Sequence, residues 1–521
     1  MTRQATCPEC EAGRGLPAIG ESRLRTAVAE MLNRHPCVGL AVGVVRDGSL
    51  VSFHGHGLAD IASDTPVTED TVFRIGSVTK PVTAIAVMQL HEQGLVDLDA
   101  PAGDYLRAYA LVPAHAGFGP ATVRHLLTHT AGIAEVRHLS DLLHPEAGPF
   151  GGRPPQLSVP VGEPLPSLAE YYRAGLPIVA EPGTVFAYSN HGYATLGQIV
   201  EDVSGMSLER YFRERIFDPL GMTDTGLTRS ARLASRLATG YELGRRGAKA
   251  VPDRDWIGAG AGGVYSTTRD VARLAAALTG GGAGENGSVL RPDTLDMMYE
   301  PHFRPDPRVP GWGLGFFSGR AGRHPVAGHD GILPGFNSAV FLAPDDGVGV
   351  VAFTNGSKGA FGWMETEFRR LLRHLLEVPD EVVRTDIPQR PEVWAELCGR
   401  YRMPPRISDL RGRLAIPGGV EVFVRGGRLM IRALTPVPSL YRGLPLCPDD
   451  EDDPRVFRLD LPGPGSPSLR VVFGAAPDGT AAMHVDLGGQ PTSFIGRPRG
   501  RRRGRPGVRT RIGPRCGRRA R

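Results

Sequence analysis

Val38 to Val45 (VGLAVGVV) is an unbroken apolar run rich in β-branched residues, and it constrains the fold more than any other stretch of the chain. Eight residues without a polar interruption suit a strand inside a protein, and the run is far too short to cross a membrane. Arg46-Asp47-Gly48 supplies a turn and Ser49 to Gly55 a return strand, so the segment reads as a hairpin of a buried sheet. A chain of 521 residues with 41% apolar and 22% charged residues can build large cores, and it exceeds one ordinary domain.

Around that hairpin the pattern alternates between helix and strand. Glu21 to Asn33 reads as a helix, Thr71 to Ile75 as a strand, and a helix beginning near Ser77 carries Val82, Ile85, Ala86 and Leu90 on one face. Val123 to Leu127 starts a helix that breaks at Gly132, and Glu135 to Pro166 is a long loop rich in Pro, Gly and His. Helices are expected over Leu168 to Gly175, Tyr193 to Ser204, Leu208 to Ile216 and Thr268 to Leu278, the last with Ser266 and Thr267 as capping residues. Ser338 to Leu342 and Val348 to Phe353 read as strands, and Phe361 to Glu377 as an amphipathic helix. Beyond a linker at 380–391 come six short strands separated by turns: Val420 to Val424, Arg428 to Ala433, Val456 to Leu461, Leu469 to Phe473, Ala481 to Val485 and Thr492 to Ile495. That spacing suits a small barrel or sandwich. The expected division is a disordered segment 1–20, a large unit 21–379, the linker, a β-unit 392–496 and a disordered tail 497–521.

The net charge of +5 conceals two parts. Residues 497–521 hold twelve arginines and no acid, so the remainder is mildly acidic, at −7. The tail has no aromatic residue for base stacking, which disfavours nucleic-acid recognition. The first twenty residues lack an apolar run and carry Glu9 and Glu11, and no stretch has the length of a membrane span, so the cytoplasm is the expected location with no membrane partner. Six scattered cysteines make no disulfide framework; Cys7-Pro8-Glu9-Cys10 is half of a zinc site without a second close pair, and no metal or other cofactor is expected.

Only three of the 60 Lys+Arg residues are lysines, and one of them, Lys80, closes Ser77-Val78-Thr79-Lys80. Arginine stays protonated, whereas a buried lysine can lose its proton and serve as a base. At i and i+3 of a helix the two side chains share a face, so the amine can activate the serine as a nucleophile. A second segment, Tyr188-Ser189-Asn190, places a phenol and an amide one residue apart on a turn. Taken alone, it is as compatible with a buried tyrosine whose hydroxyl is satisfied. The third is His329-Asp330-Gly331, ahead of a strand whose free edge would offer N–H groups to an oxyanion. Taken alone, it reads as a turn histidine on a hairpin.

In this order and spacing the three motifs resemble the serine β-lactamase-like hydrolase family, a group that includes class C β-lactamases, D,D-carboxypeptidases, D-aminopeptidases and esterases. Val123 to Ile133 (VRHLLTHTAGI), Pro182 to Asn190 (PGTVFAYSN), Pro219 to Met222, Ala261 to Ala272 (AGGVYSTTRDVA) and Gly311 to Phe316 (GWGLGF) match as well, so the resemblance covers roughly Glu21 to Val378. It implies an α+β, β-lactamase/transpeptidase-like fold: an antiparallel sheet flanked by helices plus a helical subdomain. The C-terminal β-unit resembles a lipocalin-like or similar domain, a weaker match.

The resemblance also implies roles. Ser77 would be the acylated nucleophile, Lys80 and Tyr188 the proton-transfer groups with their division of labour open, and Asn190 the residue that orients Lys80 and substrate. His329 and Gly331 would line the substrate, with the backbone N–H of Ile332 and of Ser77 forming the oxyanion hole. His125 and His129 are expected to pack and cap. Where many relatives that bind carboxylated substrates have Lys-Thr-Gly, this chain has His-Asp-Gly, which removes a permanent cation. The expected partner is therefore a small ester, amide or short peptide with a neutral or cationic acyl group, and an esterase or peptidase-like activity is favoured over a true β-lactamase. Two alternatives remain: a penicillin-recognising sensor that is acylated without turnover, and a protein whose arginine-rich tail is its working part.

Overall fold

The computed structural model describes residues 21–135, 157–357, 363–404, 416–435 and 438–498, apart from 463–465, 467, 477 and 488. The N-terminal segment with Cys7 and Cys10, most of the long loop after Glu135, Lys358, the first residues of the helix expected from Phe361 and the tail beyond Pro498 lie outside the described residues.

Helix α1 (Glu21–Arg34) leads into strands β1 (Gly39–Arg46), β2 (Ser49–Asp60) and β3 (Thr65–Pro66). After a long helical excursion, with α2 (Thr79–Glu92), α3 (Val123–Leu127), α4 (Asn190–Ser204) and α5 (Thr268–Thr279), the chain returns as β4 (Gly311–Trp312), β5 (Phe317–Ala321), β6 (His324–Leu333), β7 (Phe336–Ala343) and β8 (Val348–Thr354), and then α6 (Trp363–Leu375). The eight strands form one sheet in the order β4-β5-β6-β7-β8-β1-β2-β3. The hairpin read from the sequence is β1–β2, with Gly43 opposite Phe53. The other side of β1 is closed by β8, Leu40 pairing with Thr354 and Arg46 with Val348.

That central position explains the unbroken apolar run. Successive side chains of a strand point to opposite faces, so a strand covered on both sides has no polar alternation. Leu40, Val42 and Val44 enter a core with Leu24, Val28 and Met31 of α1 and Phe368, Leu371 and Leu372 of α6. Ala41 and Val45 enter the opposite core with Val271, Leu274 and Leu278 of α5.

Helix α2 differs from its amphipathic reading, because every residue from Thr79 to Leu90 is buried. It runs through the helical part of the molecule and packs against α4 and the short turn Ala259–Gly262. Two expected helices are shorter than read. The first stops at Tyr171, after which Gly175, at φ +83°, turns the chain into the strand Leu176–Ile178. The second, Leu208–Phe212, passes into a wider π-type turn over Arg213–Phe217.

The C-terminal part is a nearly closed, barrel-like antiparallel sheet of nine strands. Its middle order is Val420–Arg425, Gly399–Arg402, Gln490–Pro498, Ala481–Leu487 and Ser468–Ala475. Trp394, Tyr401, Val422, Phe457, Phe473, Met483 and Phe494 fill its interior. The last strand takes in Arg497 and Pro498, opposite Arg400 and Gly399, so the first residues assigned to the tail are part of the sheet. No helix among the described residues is long and apolar enough to cross a membrane.

Candidate active site

Ser77 lies in the short 3-10 turn Gly76–Val78 that precedes α2. Gly76 takes φ +49°, a conformation that an L side chain rarely adopts, and so swings the chain out of its preceding strand into the turn. Lys80, one turn on, is completely buried. Its Nζ lies 2.8 Å from Ser77 Oγ, 2.7 Å from Asn190 Oδ1 and 2.8 Å from the carbonyl oxygen of Ala261. Burial drives its pKa down to about 7, against the opposing pull of the Glu135 and Asp330 carboxylates. Desolvation penalises the charged form, so near neutrality a large share of the amine is unprotonated.

Asn190 opens α4, whose N-cap is Ser189. Tyr188, two residues earlier, is held over Lys80 with its ring centroid 4.9 Å from Nζ. Burial keeps its phenol well above the ordinary pKa, against the opposing pull of the neighbouring Ser77 hydroxyl. The segment carrying Tyr188 is clamped from one side by His129. The His129 carbonyl accepts from Ala187 N–H at 2.8 Å, its Nδ1 accepts from Ser189 N–H at 3.1 Å, and its ring lies 4.3 Å from that of Tyr188. His125 instead closes a capping box with Thr122 at the start of α3.

His329 and Gly331 lie within β6 rather than ahead of it. The expectation of a free edge holds only locally, because β5 pairs with β6 as far as Gly328 and no further. From His329 to Leu333 the strand is bonded on one side only, to β7. His329 donates from Nδ1 to the Asp330 carbonyl at 2.6 Å, and burial together with the neighbouring Lys80 lowers its pKa to about 3. It is an uncharged ring at neutral pH. Burial raises Asp330 to about 7, with Glu365 of α6 the largest charge acting on it, as expected of a side chain on the opposite face of the strand from His329. Gly331 is where the strand crosses the Gly76–Val78 turn. A Cβ there would collide with Ser338 Oγ and the Ile75 carbonyl and would lie 2.9 Å from Ser77 N. A Cβ on Gly76 would sit 3.4 Å from Ile332 N, so the backbone amides of Ser77 and Ile332 line the same small space.

All seven residues singled out in the sequence, Ser77, Lys80, Tyr188, Asn190, His329, Gly331 and Ile332, therefore gather at one place. Three participants had no sequence signal of their own. Glu135 accepts from Asn190 N–H and Asn190 Nδ2–H, both at 2.7 Å, yet reads as the first residue of a loop. The Ala261 carbonyl is a backbone group in a matching segment. Trp312 packs edge-on to His129 and His329 at 5.1 and 5.5 Å. Trp312 Nε1, His129 Nε2 and His329 Nε2 have no hydrogen-bond partner among the described residues.

Residues 24–375 match the model of the Beta-lactamase family. A penicillin-binding protein 4 from Amycolatopsis lactamdurans is 30% identical over 384 residues, 70% of this chain and 93% of that protein. The esterase EstB of Burkholderia gladioli is 32% identical over 327 residues, 57% of this chain and 79% of its own length. An octameric penicillin-binding protein homologue from Pyrococcus abyssi shares the fold, with TM-score 0.56 over 91% of this chain and 99% of that one at 23% identity.

Proposed function

The chain belongs to the Beta-lactamase family and is a serine hydrolase, and from that premise we propose that it cleaves small esters or amides through an acyl-enzyme on Ser77. The observation that carries the reading is the fully buried Lys80 amine 2.8 Å from Ser77 Oγ. Neutral Lys80 takes the Ser77 proton as Oγ attacks the substrate carbonyl carbon. The oxyanion forms against the N–H groups of Ser77 and Ile332, where fixed donors stabilise it without reorganisation. The tetrahedral adduct then expels its alcohol or amine, which leaves with a proton delivered through Tyr188, and Ser77 stays acylated. Water, activated by the same pair, attacks the acyl carbon, the acid departs and the serine proton returns. Of the two proton-transfer groups, Lys80 at about 7 is matched to neutral pH, whereas Tyr188 is held protonated well above 10, which supports the amine as base and the phenol as relay.

The acyl group that fits is neutral or cationic. With His329 uncharged, the third motif offers no cation to a substrate carboxylate. We further take residues 21–379 as the hydrolase unit, 380–391 as the linker and 392–496, extended by Arg497 and Pro498 of the last strand, as a β-unit that flanks it; separate apolar cores on the two sides of the linker support that division. A cytoplasmic location fits the unbridged Cys37 and Cys447. A panel of p-nitrophenyl esters, D-amino-acid amides and a penicillin, given to the wild type and to Ser77→Ala, tests the reading. Ester or amide turnover abolished by Ser77→Ala, with slow penicillin turnover at best, is the expected pattern. Turnover that survives in the alanine variant, or efficient hydrolysis of the penicillin, would contradict it.

A further inference from the structure

A neutral lysine amine has two N–H donors and one lone pair, and Lys80 has three polar neighbours. For the lone pair to face Ser77, the other two neighbours must both be acceptors. The Ala261 carbonyl can only accept. Asn190 is ambivalent: its amide presents Oδ1 or Nδ2 depending on how it is turned. Were it turned the other way, Nδ2–H would point at Lys80 and occupy the lone pair that Ser77 needs.

Glu135 resolves that choice. An ionised carboxylate has no hydrogen to donate, so the amide edge facing Glu135 Oε1 at 2.7 Å has to be Nδ2, and Oδ1 is left for Lys80 at 2.7 Å. The second carboxylate oxygen accepts the Asn190 backbone N–H, also at 2.7 Å, which fixes the residue as well as its side chain. We infer that Glu135 is a positioning residue whose carboxylate locks the Asn190 amide with its oxygen toward Lys80, thereby aiming the lysine lone pair at Ser77. The inference rests on the acyl-enzyme reading above. It makes a four-member chain, Glu135 to Asn190 to Lys80 to Ser77, in which each hydrogen bond has only one allowed direction once the carboxylate is in place.

The charge of Glu135 has a second effect, which separates this role from simple scaffolding. The groups acting on Lys80 are the carboxylates of Glu135 and Asp330, the rings of Tyr188 and Tyr193 at 4.9 and 5.6 Å, and the neutral imidazoles of His129 and His329. Glu135 favours the protonated amine. Removing its charge makes Lys80 lose its proton at lower pH, so the acidic limb of kcat/KM moves down in pH even as the aim of the amine is lost.

The test is the pH dependence of p-nitrophenyl butyrate hydrolysis by the wild type, Glu135→Gln, Glu135→Leu, Asn190→Ala and Glu135→Gln/Asn190→Ala. For the two single Glu135 variants, kcat is expected to fall about tenfold or more with little change in KM, and the acidic limb to shift to lower pH. In the Asn190→Ala background, Glu135→Gln should add almost nothing further to the loss of kcat, because there is no amide left to turn. Wild-type kcat in both single Glu135 variants would overturn the inference. So would a loss of kcat with the limb unmoved, or full additivity in the double variant. Ser77→Ala run in parallel keeps the two claims apart: residual turnover there defeats the acyl-enzyme reading, whereas a dead Ser77→Ala with an indifferent Glu135→Gln defeats only the role of Glu135.

Discussion

Lys80 is unusual in being buried without an ion-pair partner in contact among the described residues. Its three neighbours are a hydroxyl, an amide oxygen and a backbone carbonyl, which satisfy a neutral amine as well as an ammonium. Desolvation decides between the two forms and brings the pKa to about 7. Arginine would bring a permanent, wider cation into a space whose three contacting groups are uncharged, and it has no lone pair to offer. Lys80→Arg is therefore expected to lose activity almost as completely as Lys80→Ala, by about 100-fold or more in kcat/KM on a butyrate ester. The sign of the pH effect follows from the same residue. In the proposed mechanism the active form is the unprotonated amine, so wild-type kcat/KM should rise with pH through about 7 and then level off, a limb absent from both variants. Near-normal turnover with arginine would reduce Lys80 to a plain cation. At this scale the sequence was most legible where a residue type has few uses, as with one lysine among so many arginines. It was silent on Glu135 and on the Ala261 carbonyl, because a carboxylate at the start of a loop and a backbone oxygen look the same in sequence wherever they point.

Among the elements, the crossing of β6 over the Gly76–Val78 turn holds the site together. The strand loses its outer partner after Gly328 and so exposes an edge, and Gly331 lets that edge lie against Ser77 and Ile75. Gly331→Ala places a methyl group where Ile75 and Ser77 already are, and backbone atoms cannot step aside as a flexible side chain would. Expected consequences are a loss of about 1–3 kcal/mol in stability from overpacking and a fall of about 100-fold or more in kcat from displaced oxyanion donors. Thermal unfolding and steady-state kinetics measure the two separately; an alanine variant with unchanged kcat would remove this strand from the oxyanion site. Most elements were visible in advance, since β1, β2, α5 and α6 carry clear periodicity or capping. The pairing of β1 with β8, some three hundred residues later, was not, because nothing in a local pattern specifies a distant partner. Nor could α2 be recognised as buried on all sides, since the small and hydroxyl-bearing Thr79, Thr83 and Ala84 resemble an exposed face until α4 and the Ala259–Gly262 turn are seen against it.

Across the whole molecule, the barrel-like sheet is attached to the hydrolase fold by charge and by contact. Arg308 bonds Asp453 at 2.6 Å and the Phe473 carbonyl at 3.0 Å, Arg369 of α6 bonds Asp486 at 3.0 Å, and Gly489 packs on Phe317 of β5. Between them lies a cavity of about 630 Å³, lined by Arg304, Arg373 and Arg470 among others. The proposed catalytic residues lie within the hydrolase fold, so the central claim can be tested on Ser77 alone. The most direct measurement is the intact mass of the full chain quenched at short times during p-nitrophenyl butyrate turnover, with peptide mapping of any adduct. A single butyryl group on Ser77 that appears and then decays as acid is released, and is absent from Ser77→Ala, is the predicted result. Turnover at full rate with no acyl group ever found on Ser77, or with the acyl group on another residue, would contradict it.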